Sequence, residues 1–175
     1  MQLHGSIMVA AQALTTANAD AERARLGWMP QAPHFLTGSL RQNLALGREG
    51  DLAAALGNAA VSDVVRAWPR GLSSRLGETG AGLSGGGEAR RITLARAVCG
   101  NPDAILADKP TADLDAETAK AVTEGLPAQA GRGATLIIAT HDMGLAARRP
   151  RCGVKVCAKA AGVCLPRREW GRSVL

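Results

Sequence analysis

Residues 104 to 115, AILADKPTADLD, open on an apolar run and end among carboxylates. The run lacks period-two alternation, so AILAD suits a strand of a parallel sheet buried on both faces, closed by Asp108. Pro110 and Thr111 then turn the chain towards a second acidic pair, Asp113 and Asp115. DAETAKAVTEGL (115 to 126) follows as a helix starting on an Asp cap. A carboxylate delivered to the end of a buried strand suits a magnesium–phosphate site, where a second carboxylate ordinarily stands beside the first. Here that neighbour is Lys109.

The elements around this stretch repeat its logic. RLGWM (25 to 29) is a short strand ending at Pro30, and TLIIATH (135 to 141) is another near-continuous apolar run. Helical patterns lie between them. SLRQNLALG (39 to 47) has Ser39 as its cap. DLAAALGNAAVSDVVRAW (51 to 68) divides into two short helices near Gly57 and Asn58 and stops before Pro69. GEARRITLARAVCG (87 to 100) carries Glu88 in its first turn and Gly100 at its end. Alternating strands and helices argue for an α/β fold with a parallel sheet. Trp28 and Trp68 read as core or interface aromatics.

Composition narrows the class. A chain of 175 residues is long enough for one domain with a real core. It is 46% hydrophobic, yet no run reaches the roughly 18 apolar residues of a membrane span. No basic n-region precedes the uncharged SIMVAAQALTTANA (6 to 19), which argues against a secretory signal. The expectation is a soluble domain facing the cytoplasm.

The formal charge of +6 is unevenly spread. Residues 1 to 144 hold 13 Lys/Arg against 14 Asp/Glu, whereas residues 145 to 175 hold 8 against the single Glu169. The high pI belongs to the tail. Cys152, Cys157 and Cys164 lie there too, at a spacing that matches no zinc or redox pattern. From about Ala147 the periodicity dissolves. Residues 147–175 are therefore expected to be an irregular basic tail whose removal leaves stability unchanged. Its abrupt composition suits a shifted reading frame; the alternative is a true basic tail that touches nucleic acid or anionic lipid.

The most specific signal is GAGLSGGGEARRITLARA (80 to 97). Glycines just before a helix free backbone N–H groups to approach a phosphate, and the helix N-terminus favours the anion. A lone glycine run is weak evidence. This one is preceded by WMPQ and followed by AILAD and then TLIIATH, in that order.

Across roughly residues 5 to 146 the sequence resembles the ATP-binding domain of ABC transporters, of the P-loop NTPase-like fold with a helical subdomain. LSGGGEARR is similar to the family signature, ILADKPTADLD to its magnesium strand and D-loop, and IIATHD to its switch-histidine segment. WMPQAPHFLTGSLRQNLALG resembles the Q-loop and the start of the helical subdomain, about 39–83. LGETGAGLSGG resembles the exporter type, and DAETAKAVTEGL and SGGGEARR are most similar to the bacterial thiol-reductant (cysteine or glutathione) exporters.

This resemblance implies an ATP sandwich shared by two chains, with ATP and Mg2+ as cofactors. Ser84, Gly85, Gly86 and Gly87 would contact the partner's γ-phosphate, and Asp115 would sit at the dimer seam. Asp108 would bind magnesium, Gln31 would link the metal to the transmembrane domain, and His141 would hold the γ-phosphate. Taken alone, His141 is a strand-end histidine and Gln31 a loop glutamine; the order of the motifs raises both. His34 is expected only to pack within the Q-loop. The implied partners are a second ATP-binding domain, as a heterodimer, and an exporter's membrane domain. The place implied is the cytoplasmic face of the bacterial inner membrane, with nucleic acid the less favoured partner.

Four departures follow from the same resemblance, the first being that the tail after Ala147 matches nothing in the family, where a strand should follow. No G-x-x-x-x-G-K-[ST] occurs in the chain, and its opening QLHGSIMV resembles the segment just after the P-loop helix. The expectation is thus a partial domain over 1–146, truncated at its N-terminus and lacking the P-loop strand and helix. SGGGEARR carries one glycine more than the SGGEARR of the relatives, which the loop can absorb or which can rotate the helix start by about 100°. Lys109 stands where the family places the glutamate that polarises the attacking water. Besides an impaired exporter ATPase, the sequence leaves open a non-hydrolytic partner that lends its signature face to an intact domain, and a basic-tailed nucleic-acid-binding protein.

Overall fold

The computed structural model describes residues 8–9, 12–77, 80, 82–83, 85–130, 133–140, 142, 145 and 154–158. In chain order the elements are β1 (Met8–Val9), β2 (Gln12–Ala13), α1 (Ala19–Ala24), β3 (Leu26–Met29), β4 (Gly38–Ser39) and α2 (Leu40–Ala45). There follow α3 (Leu52–Asn58), α4 (Ser62–Ala67), a 3-10 turn (Gly71–Ser73), β5 (Arg75–Leu76) and α5 (Gly86–Val98). The last are β6 (Ala104–Asp108), α6 (Ala116–Ala130), β7 (Thr135–Thr140) and β8 (Val154–Ala158). Strands β3, β6, β7 and β8 form a parallel sheet in that order. β1 with β2, and β4 with β5, form two small antiparallel pairs.

Register sorts the sheet into rows. Gly27, Ile105 and Leu136 lie side by side, and Met29, Ala107 and Ile138 form the next row on the same face. All six are buried. Helix α5 lies on this face. A Cβ at Gly27 would come within 1.9 Å of the Ala97 carbonyl oxygen, so only glycine admits the helix so closely. Ile92, Leu94, Ala95, Ala97 and Val98 of α5 join Leu40 and Leu44 of α2, Leu56 of α3 and Val65 of α4 in one core. Val122 and Leu126 of α6 complete it. At Gly125 a Cβ would lie 2.2 Å from the Asn58 carbonyl oxygen, where α6 crosses the end of α3.

The strands were expected to be buried on both faces, and here the structure differs. The intervening row, Trp28, Leu106 and Ile137, is only half-buried or exposed, and Trp28 is 65% exposed. Trp28 is therefore no core residue, while Trp68 packs against the core.

The tail needs a second correction. Within the expected irregular segment 147–175, VKVCA forms β8 and pairs in parallel with β7 from Leu136↔Val154 to Thr140↔Ala158. The physical reason is that the edge of β7 offers a row of unpaired backbone groups, and a short segment with β-branched residues can take them. Thirteen residues separate Thr140 from Val154, enough for the crossover a parallel pairing requires.

Candidate nucleotide site

Parallel strands end together, and in open α/β sheets ligands bind beyond their carboxyl ends. Gln31 lies two residues past β3, Asp108 is the last residue of β6, and His141 follows β7 directly in sequence. His141 and Ser84 fall outside the described residues. Gln31 is exposed and Asp108 half-buried.

The turn after Asp108 is tightly held. Lys109 and Asp113 both adopt left-handed backbone, at φ 48° and 59°. L residues keep that conformation only where their surroundings over-determine it. The Lys109 N–H donates to the Ala139 carbonyl at 2.7 Å, and the Ala112 N–H donates to the Lys109 carbonyl at 3.1 Å. Arg90 of α5, buried, donates from Nη1 to the Lys109 carbonyl at 3.1 Å and from Nη2 to Asp113 Oδ2 at 3.0 Å. The Thr111 hydroxyl lies 3.3 Å from Asp142 Oδ2, and the Asp142 N–H donates to Thr140 Oγ1 at 3.0 Å. These two contacts tie the turn to residues on either side of His141.

Helix starts differ across the molecule. Ser39 closes α2 with a reciprocal capping box to Gln42. Asp51 caps α3, and the exposed Asp115 caps α6 by accepting the Thr118 N–H at 2.9 Å. That bond and the neighbouring Thr118 hydroxyl hold the Asp115 carboxyl below the usual carboxylate range. α5 instead opens on Gly85 in extended backbone and, like the short helices α1 and α4, has no side-chain cap. A Cβ at Gly85 or Gly86 would meet nothing within 4 Å, whereas one at Gly87 would lie 3.5 Å from the Asp113 carbonyl oxygen. The additional glycine is accommodated with Gly86 and Gly87 inside the first helical turn.

The segment after Gln31 is fastened by side chains that the sequence reading did not single out. Asn43, buried, accepts the Leu36 N–H at 2.9 Å and donates to the carbonyls of Leu36 and Ser39 at 2.8 and 3.2 Å. Arg96 of α5 donates to the carbonyls of Asn43 and His34 at 2.7 and 2.6 Å, and its guanidinium sits 5.1 Å from the Phe35 ring centre. Arg91 donates to the Ala60 carbonyl at 2.6 Å. Helix α5 thus grips three loops through three arginines. A signal existed: in ITLARAV, Arg96 is a charge inside an otherwise apolar helical run, and such a charge must find partners when buried.

The residues present suit parts of a nucleotide complex. The uncapped, open first turn of α5 fits a phosphate. Asp108 could give magnesium one oxygen ligand. Magnesium keeps several waters and commonly takes only one or two carboxylates. Among the described residues no cluster of three or more His, Cys, Asp or Glu side chains could hold a metal.

A parallel sheet with a glycine-opened helix and a carboxylate at the strand ends defines a nucleotide-binding domain of the P-loop NTPase-like class. Comparison with known proteins gives the family. The ABC transporter family model matches residues 1–112. The glutathione/L-cysteine transport system ATP-binding/permease protein CydD of Escherichia coli is 34% identical over 147 residues, covering 82% of this chain and 25% of CydD. The type I secretion system ATP-binding protein PrsD of Rhizobium meliloti is 31% identical, covering 78% of this chain and 24% of its own. ABC transporter BEA3 of Gibberella fujikuroi is 33% identical, covering 80% of this chain but 11% of its own. The structure of a bacterial Atm1-family ABC exporter with ATP bound superposes with a TM-score of 0.74 at 30% identity, over 87% of this chain and 27% of that one. The chain belongs to the ABC transporter family and carries the ATP-binding domain of its exporters. It spans a tenth to a quarter of the length of these relatives.

Proposed function

We propose that the chain serves an ABC exporter in which ATP hydrolysis drives transmembrane export, and that its own hydrolytic half is impaired. Likeness to CydD supports a thiol reductant, cysteine or glutathione, as the exported substrate. The working unit would pair this chain with a second ATP-binding domain and a membrane domain, at the cytoplasmic face of a bacterial inner membrane. ATP supplies the free energy, and magnesium would neutralise charge on its phosphates.

One observation carries the reading: the two halves of the site differ in their fitness. At the signature half, Gly85 and Gly86 open α5 without a cap or an obstructing atom, and Arg90, Arg91 and Arg96 anchor the helix behind them. At the other half, Asp108 ends β6, where it would serve as the magnesium ligand, and the adjacent residue is Lys109. Polarising an attacking water needs an acceptor, and an ammonium has none. Losing a positioned base costs about 10²- to 10⁴-fold in rate.

A second reading, a non-hydrolytic partner that lends Gly85–Gly87 to an intact domain, draws on the same asymmetry. The test mixes the chain with an intact exporter ATP-binding domain and follows association and hydrolysis with Mg-ATP. ATP-dependent pairing is expected, and Gly86→Asp, which has room for its side chain within this fold, should abolish it. Pairing that ignores ATP or survives Gly86→Asp would contradict both readings.

A further inference from the structure

The first two turns of α5 meet the turn after β6 twice. Gly87 abuts it at the Asp113 carbonyl and Leu114. Arg90, three residues on and so on the same helical face, spans the Lys109 carbonyl and the Asp113 carboxylate. The Arg90 side chain is 7% exposed, while its partner Asp113 is 74% exposed. A guanidinium fork can hold a carbonyl and a carboxylate at once, which a lysine ammonium, a single point charge, does less well. Both residues that Arg90 holds have left-handed backbone. The direction in which Asp108 and Lys109 point therefore depends on this grip.

We infer that Arg90 is a positioning residue that makes the start of α5 and the 108–115 turn one mechanical unit. Resting on the proposed role of α5 as the signature helix, this means that a partner's nucleotide phosphate on Gly85–Gly87 stiffens the turn carrying this chain's own Asp108. Neither Arg90 nor Asp113 needs to touch the nucleotide for this. The two half-sites on one chain thereby become coupled through a single side chain.

Hydrogen exchange read by mass spectrometry tests it on the 175-residue chain, as wild type, Arg90→Lys and Arg90→Met. In Arg90→Met, exchange in the peptide 108–115 should quicken about tenfold, the scale of a lost charge-assisted hydrogen bond, while α3 and β7 are unchanged. Arg90→Lys should fall between, because it keeps one bond. Should Arg90→Met not fold, Asp113→Asn removes the charged acceptor from an exposed position, and the same local quickening at unchanged melting temperature is expected. Uniform quickening across the chain, or none at 108–115 in either variant, overturns the inference.

The second arm adds an intact exporter ATP-binding domain and ATP. The wild type should gain protection at both 84–89 and 108–115, and Arg90→Met only at 84–89. Equal protection of 108–115 in both overturns the coupling. No protection at 84–89 in the wild type overturns the proposed pairing and the transmission step with it, while the first arm still decides whether Arg90 holds the turn.

Discussion

Met29 is fully buried and its neighbour Trp28 is 65% exposed, and the difference runs through the whole sheet. One face, with rows Gly27–Ile105–Leu136 and Met29–Ala107–Ile138, lies under α5 and shares a core with α2, α3, α4 and α6. The other face presents Trp28, Leu106 and Ile137 in one row, apolar yet incompletely covered. Strands of parallel sheets are normally apolar on both sides because both sides are covered. The sequence is thus written for two coverings, and the described residues supply one.

The largest effect should separate the faces. Leu136→Ala on the packed side is expected to cost about 2–5 kcal/mol by loss of burial and creation of a cavity. Trp28→Ala on the open side should stay within about 0.5 kcal/mol, as at other exposed positions. Urea unfolding of the two variants gives the comparison, and equal costs would break it.

Next comes the sheet edge. Deleting residues 148–175 strips β8 from β7 and should cost on the order of 2–4 kcal/mol, from several net hydrogen bonds at roughly 1 kcal/mol each. An unchanged melting temperature would show that β8 adds nothing to the sheet.

Helix starts give a smaller test. Ser39→Ala removes the capping box of α2 and should cost about 1 kcal/mol. The smallest effect is expected at Asp115, whose carboxyl the Thr118 amide holds below its ordinary range. A depressed carboxylate stabilises the fold above its unfolded pKa, about 3.9, and that contribution fades as pH falls through the lower folded value. Acid titration should therefore loosen the start of α6 only below about pH 4. In Asp115→Asn this step should vanish.

Local signals carried most of the fold. AILAD, TLIIAT and LGWM are strands, Ser39 and Asp115 are caps, and the break near Gly57 and Asn58 separates α3 from α4, because each depends on propensity and caps within a few residues. What was not legible depends on partners distant in sequence. β8 exists by virtue of the β7 edge, and Arg90 and Arg96 acquire their roles only when α5 meets loops 19 to 62 residues away. The exposure of Trp28 was hidden for the same reason, since an apolar strand does not say whether its cover is present.

The proposed asymmetry between a signature half and a hydrolytic half is tested most directly at Lys109. A P-loop segment grafted onto this chain, paired with an intact partner domain, allows turnover at the chain's own site to be compared between Lys109 and Lys109→Glu. Hydrolysis at that site is expected only with the glutamate, a gain of about 10²-fold or more. Equal turnover in the two would contradict the account.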